Sequence, residues 1–529
     1  MDYRRALLEE KLRRAMRETI LNARRNFWDF CKTRAPDFYK EDRWYLELYC
    51  KTLEALYRKH LTKQYFYSLA KEIAPDWFIE EFEWELIPDR SQPFEKMIIN
   101  MPPRHGKSRT LNMFCEWLLG DDPDNKIITA SYNEDMATTF SRNTRDGIAE
   151  KKVAPQHLVY SDIFPNIKIR RDNSSYREWA LEGKHFSYKG AGLGGSVTGK
   201  GGNILIVDDP IKNAEEAYNE NALDKQWLWY TGTFLSRLEE ESGNPIEIVN
   251  MTRWAKKDIC GRILDGKGRE EWFVLKIEVK SKTTGEMLCE QILSKKRYEY
   301  FMSEMEEGVF WANYHQKTID QRGRLYKYFK TYTALPKAED GSLLFERIVA
   351  YTDVADTGDD YLCTVVAGIY QGVAYVLDVI YTQADLEETE PDVAFTLNEN
   401  NVNVGYFESN NGGEGAARSV RRILRLNYPT APTIVRSFHQ SKNKQARILS
   451  NSTFVMKRVL FPVDWKDRWP EYYQAMSEYQ RSGKNAHDDA PDATTGIAEI
   501  LQNRIDEEER EEKRPERKRP SGRTRRERR

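Results

Sequence analysis

An apolar run at Met97–Met101 ends in a short loop that closes on Gly106-Lys107-Ser108, and a helical pattern follows at once. Leu111, Phe114, Cys115, Leu118 and Leu119 fall on one face of that pattern. A strand, a tight loop and a helix in this order form the setting in which a protein holds phosphate. Backbone N–H groups and the helix N-terminus face the anion, Lys107 reaches the β- and γ-phosphates, and Ser108 ligates Mg²⁺. Arg104, His105, Gly106, Lys107 and Ser108 form the expected nucleotide-binding set. The glycine usual at the start of such a loop is here Met101. A loop of this kind has to sit at the carboxyl edge of a sheet flanked by helices, which points to an α/β fold.

The rest of the front half fits that demand. Short β-rich runs at Met97–Met101, Lys126–Ser131, Asn203–Val207, Pro245–Met251 and Trp272–Val279 alternate with helical stretches, as in a mainly parallel sheet. GGNILIVDDP places Asp208 and Asp209 where four aliphatic residues stop. Asp208 is the expected metal-side acid, and the carboxylate after it can polarise an attacking water. A further run, PIEIVNM, leads into Thr252, a polar residue in position to sense the γ-phosphate.

A second acidic pattern lies behind residue 346. RIVAYTDVADTGDD is a strand with Asp353 near its end, CTVVAGIY-QG-VAYVLDVI a hairpin turning at Gln371-Gly372, and NVGYFES a strand ending in Glu408. KNAHDDAPDATTGI then sets Asp488, Asp489 and Asp492 at the start of the last helix, expected over about 490–503. Three carboxylate stations separated in sequence can converge on two divalent metals, about 3.5–4 Å apart, for phosphodiester cleavage. Oxygen ligands favour Mg²⁺ or Mn²⁺ over zinc. His487, beside the aspartates, is expected to be a DNA contact or exposed, rather than a general base.

At 529 residues the chain needs more than one core. Four segments are expected: a helical N-terminal extension (1–75), a P-loop ATPase domain with connector (76–335), a nuclease domain (336–503) and a charged disordered tail (504–529). A net charge of −2 despite 31% charged residues means that any nucleic-acid surface is local, the basic tail included. Six scattered cysteines without a CxxC fit a reduced compartment. The start of the chain lacks the apolar core of a signal peptide, and no run reaches the ~20 apolar residues of a membrane span. A soluble intracellular protein is the expectation.

From about residue 95 to 500 the motifs, in their order, resemble the large terminase subunit of tailed bacteriophages. PPRHGKS resembles its variant Walker A, ITASYNEDMATTFSRNTRD the segment behind it, and GLGGSVTGKGGNILIVDDPIKNAEEA its Walker B region. IVNMTRWAKKDICGRIL resembles the coupling motif, with Thr252 in its polar position. The resemblance implies an ASCE-type P-loop ATPase domain followed by an RNase H-like α/β nuclease domain. Many members carry Asp-Glu where this chain has Asp208-Asp209, which makes Asp209 the water-activating candidate, with Glu215 or Glu216 as substitutes. Arg104 in cis or Arg237 in trans would serve as arginine finger. Metal-ligand roles fall on Asp353, Glu408 and Asp489, with Asp488 the nearest rival to Asp489; Asp356, Asp359 and Asp492 are second choices. The implied activity is ATP-driven packaging of double-stranded DNA into a procapsid, with Mg²⁺ and, at the nuclease, Mn²⁺ as an alternative. Implied partners are the portal protein, the small terminase subunit and further copies in a ring, without a membrane. The implied place is the host cytoplasm, transiently on the procapsid and not in the mature virion. A helicase–nuclease of repair or recombination is the alternative.

Overall fold

The computed structural model describes residues 2–512, apart from 155–156, 198, 240–243, 319–322, 355–360, 410–412, 442, 482–484 and 486. The chain forms two compact units, Met1–Asp320 and Gln321–Arg529.

The first unit is built on eight strands: β1 (Lys96–Asn100), β2 (Ile127–Ser131), β3 (Ile169–Ser174), β4 (Glu178–Leu181), β5 (Tyr188–Gly192), β6 (Ile204–Asp208), β7 (Ile246–Asn250) and β8 (Trp272–Lys276). Their spatial order is β3-β4-β5-β2-β6-β7-β1-β8. From β5 to β8 every pairing is parallel, while β3 and β4 add an antiparallel margin. Strand β7 stands between the phosphate-loop strand β1 and the acid-bearing β6, which is the ASCE arrangement. The central strands are covered on both faces, which is why they are written as unbroken aliphatic runs rather than alternating ones.

Most of the expected N-terminal extension belongs to this unit. Phe27, Phe30, Tyr45, Leu46, Leu53 and Phe66 are buried in the same core as Phe114 and Trp117 of the helix Lys107–Asp121. The Phe27 ring lies 5.1 Å from Phe114 and 5.6 Å from Trp117. So many aromatic residues between 27 and 82 need a partner surface, and the phosphate-loop helix supplies it. Along Asp2–Arg25, by contrast, Leu12 and Leu21 stay exposed. Buried polar contacts join the two: Arg34 lies 3.7 Å from Glu116 of the phosphate-loop helix, touches Glu150, and donates to the Gly147 carbonyl at 3.0 Å. Burial pushes the Glu116 carboxyl up to about 8, against the pull of Arg34.

The second unit has seven strands: β9 (Lys330–Tyr332), β10 (Arg347–Asp353), β11 (Leu362–Tyr370), β12 (Val373–Thr382), β13 (Val404–Glu408), β14 (Ile434–Phe438) and β15 (Val459–Pro462). They run in the order β14-β13-β10-β11-β12-β15-β9. The antiparallel meander β10–β11–β12 carries β13 parallel to β10 and β14 parallel to β13, the RNase H-like arrangement. The hairpin turns at Gln371 and Gly372, both at positive φ (48° and 68°), as a two-residue turn of this hand requires. The last helix, Asp489–Glu512, packs on β10 and β11. A Cβ at its Gly496 would stand 2.3 Å from the Tyr351 ring, so only glycine lets helix and strand approach this closely.

Two expected boundaries move. β9 pairs with β15, so the latter part of the expected connector is sheet of the second unit, and the division falls at 320/321 rather than 335/336. The last helix continues past 503 to Glu512, because its charged end extends the helical run begun by Ala493, Ile497 and Leu501. Residues 513–529 of the expected tail lie outside the described residues. Among those described, no helix is long and apolar enough to cross a membrane.

The Glu116 environment gives a pH prediction. A glutamate that titrates near 4.5 when exposed and near 8 when folded binds its proton more tightly in the folded state. Its contribution to stability is therefore full below about pH 4.5 and is lost as pH rises through 8. Glu116→Gln is expected to remove that slope, gaining on the order of 3 kcal/mol relative to wild type between pH 5 and 8 in denaturant unfolding. Parallel pH profiles for the two proteins would refute it.

Two candidate active sites

At the first site the loop leaving β1 turns back on itself through Arg104 (φ 66°) and Gly106 (φ 96°). A Cβ at Gly106 would also lie 2.7 Å from the Phe38 ring, so glycine is required twice over. Lys107 then begins the helix. Its Nζ lies 2.6 Å from Asp209 Oδ2, while Ser108 Oγ donates to Asp208 Oδ1 at 2.9 Å. The strand between them takes part: Asn250, at the end of β7, donates a close hydrogen bond from Nδ2 to the same Asp208 oxygen. Behind the loop, the Tyr49 hydroxyl donates to the Lys107 carbonyl at 3.4 Å, and Tyr39 meets Thr110 at 3.1 Å.

Asp208 is buried, and burial together with the charge of Asp209 pushes its carboxyl up to about 7, against Lys107, Asn250 and Ser108. A carboxylate held out of water beside a hydroxyl oxygen is a donor set suited to a hard cation such as Mg²⁺. Asp209 sits just beyond β6 at φ 44°, partly exposed, in position to exchange Lys107 for another partner.

The remaining expected residues divide. Arg104 is exposed on the loop. His105 is buried beside Tyr45, with Nδ1 2.9 Å from the Pro103 carbonyl, and burial pushes it down to about 4. Its Nε2 is buried without a hydrogen-bond partner. Glu216 is engaged by the Lys212 amide and Gln226, and Glu215 sits beside it on the short helix Ala214–Tyr218. Arg237 lies at the end of a 3₁₀ turn with its guanidinium on Ser236. Thr252 is buried two residues beyond β7. It is Asn250, not singled out by sequence reasoning, whose side chain reaches the acidic site from this strand.

At the second site β10 and β13 end side by side and present Asp353 and Glu408, while the first turn of the last helix adds Asp492. Carboxylate oxygens of these three buried residues lie within 4.8 Å of one another. Asp489 joins through a cation: Lys444 Nζ lies 3.0 Å from Asp353, 2.9 Å from Asp489, 2.8 Å from Asp488 and 3.8 Å from Asp492. Asp489 also accepts from the Tyr361 amide at 3.2 Å. The geometry therefore raises Asp492 from second choice to a member of the closest group, while Asp489 shares Lys444 with Asp353. Burial is the main reason that the Asp353 carboxyl is pushed up to about 7, with Lys444 opposing it. Asp492 is raised for the same reason against Arg447 and Lys444. His487 is partly exposed, edge-on to Tyr361 at 4.9 Å. Asp356 and Asp359 lie outside the described residues. Lys444 and Arg447, three residues apart at the start of the helix Lys444–Arg458, were not foreseen. Their spacing on one helix face was the available signal.

Residues 98–327 match the family model described as terminase large subunit, T4likevirus-type, N-terminal. Among solved structures the chain is similar to the large terminase of a thermophilic bacteriophage in complex with ATP-gamma-S. That likeness has 13% identity and a TM-score of 0.47, over 77% of this chain and 95% of that one. The HK97 bacteriophage large terminase is similar at 11% identity and TM-score 0.31, over 76% and 91%. The nuclease domain of the large terminase subunit of bacterial virus Sf6 is similar at 12% identity and TM-score 0.23, over 29% and 88%. No curated protein matches the chain.

The Asn250 contact is directly testable. A hydrogen bond to a charged group contributes about 1.5–3 kcal/mol, so Asn250→Ala is expected to slow any ATP hydrolysis at this site by ~10–100-fold. Unchanged turnover in the variant would reduce the contact to packing.

Proposed function

Starting from the large terminase subunit family, whose N-terminal model residues 98–327 match, we propose that the chain is a viral genome-packaging motor, an ATPase and a metal-dependent DNA endonuclease in one polypeptide. The observation that carries the reading is the facing of Lys107 and Ser108 with Asp209 and Asp208 across the ends of β1 and β6.

Lys107 transfers from Asp209 to the β- and γ-phosphates of ATP when nucleotide enters, and the loop amides take the remaining phosphate oxygens. Asp209, released from its ion pair, accepts the proton of the attacking water. Ser108 and Asp208 would hold Mg²⁺, which when bound neutralises charge on the transferring phosphoryl group. Asn250 carries the state of Asp208 into β7, and Thr252 lies on the path that this strand feeds. Arg104 or Arg237 completes the charge balance from the same or a neighbouring copy.

In the second unit Asp353, Glu408 and Asp492, with Asp489, which shares Lys444 with Asp353, would hold divalent cations, Mg²⁺ or Mn²⁺, which stabilise the attacking and leaving oxygens of a cleaved phosphodiester. The chain's own groups supply the ligand oxygens and, through Lys444, a charge that an arriving cation replaces. Translocation of double-stranded DNA into a procapsid, cutting of concatemers to begin and end packaging, a ring of copies on the portal protein, and recruitment by a small terminase subunit in the host cytoplasm complete the proposal. Their support is the family alone.

Lys107→Ala is expected to lower ATP hydrolysis and packaging by ~10²-fold or more while cutting persists. Asp353→Ala is expected to do the reverse in Mn²⁺-dependent cleavage of plasmid DNA. Cleavage that survives Asp353→Ala places the nuclease centre elsewhere, and hydrolysis that survives Lys107→Ala removes the motor reading.

A further inference from the structure

Two of the three carboxylates of the second site, Glu408 and Asp492, are gripped from behind by an arginine that solvent does not reach. Arg447 is completely buried. Its Nη2 donates to Glu408 Oε1 at 3.0 Å and makes a close bond to Asp492 Oδ1. Its Nη1 donates to the Tyr351 hydroxyl and to Glu499 Oε2, each at 3.0 Å. The Tyr351 hydroxyl in turn donates to the same Glu408 oxygen that Nη2 binds. One oxygen of each carboxylate is thereby consumed, whereas Asp492 Oδ2 is buried with no hydrogen-bond partner. Tyr351 can occupy this place only because Gly496, one turn after Asp492, has no Cβ to meet its ring.

We propose that Arg447, with Tyr351, is the positioning residue of this centre: it fixes one oxygen of Glu408 and of Asp492 so that the other faces Asp353 and is free to bind a divalent cation. The proposal rests on the nuclease reading and deepens it. Lys444 and Arg447 then have different duties. The lysine is reached by solvent and spans the rim carboxylates, so a cation can replace it; the arginine stays. A planar fork is the group for this duty, because a lysine ammonium keeps the charge but cannot hold two carboxylates and a phenol in one plane. Partners behind metal ligands typically carry 10–100-fold in metal affinity.

The test uses the full chain and Mn²⁺ as probe. Isothermal titration calorimetry and the Mn²⁺ dependence of DNA cleavage are measured for wild type, Arg447→Lys, Tyr351→Phe and Asp353→Asn, with circular dichroism reporting the fold. In folded Arg447→Lys, Mn²⁺ is expected to bind ~10–100-fold more weakly. Cleavage should recover at high Mn²⁺, so that the metal requirement moves more than the maximal rate. Tyr351→Phe, which loses a single hydroxyl, is expected to show the same pattern at a few-fold. Mn²⁺ affinity unchanged or tightened in both variants overturns the proposal, as does a lost rate that no Mn²⁺ concentration restores in a folded variant. If wild type and Asp353→Asn bind Mn²⁺ alike, the nuclease reading itself has failed, a result separate from any effect of Arg447.

Discussion

Both units depend on one electrostatic constraint: carboxylates grouped at the carboxyl ends of parallel strands, mostly out of water, must be countered by a cation. Each unit meets it with a lysine that is the first residue of a helix. Lys107 answers Asp209 beside Asp208, and Lys444 answers Asp353, Asp488 and Asp489. A cation at a helix N-terminus opposes the helix dipole, so neither lysine would be placed there for the helix's own sake. Each is held by the acids it faces. At the first site the positive end of the helix then adds to the lysine in attracting an arriving phosphate.

The strands that frame the first site were legible because burial on both faces leaves a mark in sequence. β1, β2, β6, β7 and β8 all fall within a few residues of the aliphatic runs that announced them. β3 and β5 were not announced: the one is IRRDNS and the other, YKGAG, is mostly small residues. β14 and β9, exposed at the sheet margins, carry no alternation strong enough to read. The N-terminal helices were seen as helices but not as part of the first unit. Helical periodicity marks an apolar face and says nothing about which surface covers it.

The acidic centre shows where local pattern stops. Asp353 and Glu408 were readable because each closes an apolar strand. Asp489 and Asp492 share the first turn of one helix, three residues apart, and local sequence does not separate them. What separates them is Arg447, which comes from a helix some forty residues earlier, bonds Asp492 and leaves Asp489 to Lys444. Asn250 was overlooked for a related reason. Sequence reasoning looked past the strand end to Thr252, whereas β7 lies next to β6 and delivers its final side chain to Asp208.

The residues behind β7 have a mechanical consequence. Asn100, at the end of β1, holds the Met251 carbonyl at 2.9 Å, and the Arg253 amide donates to Gln316 Oε1 at 3.2 Å. Gln316 stands at φ 54° where the helix Glu307–His315 ends, close to the point at which the chain leaves the first unit. Between them, the fully buried Asp258 ties the Trp254 and Ala255 amides at 3.0 Å and so stiffens the segment. The strand end and the exit of the chain are thus two ends of a short braced rod. One amide hydrogen bond, from Arg253 to Gln316, closes the link between the two ends.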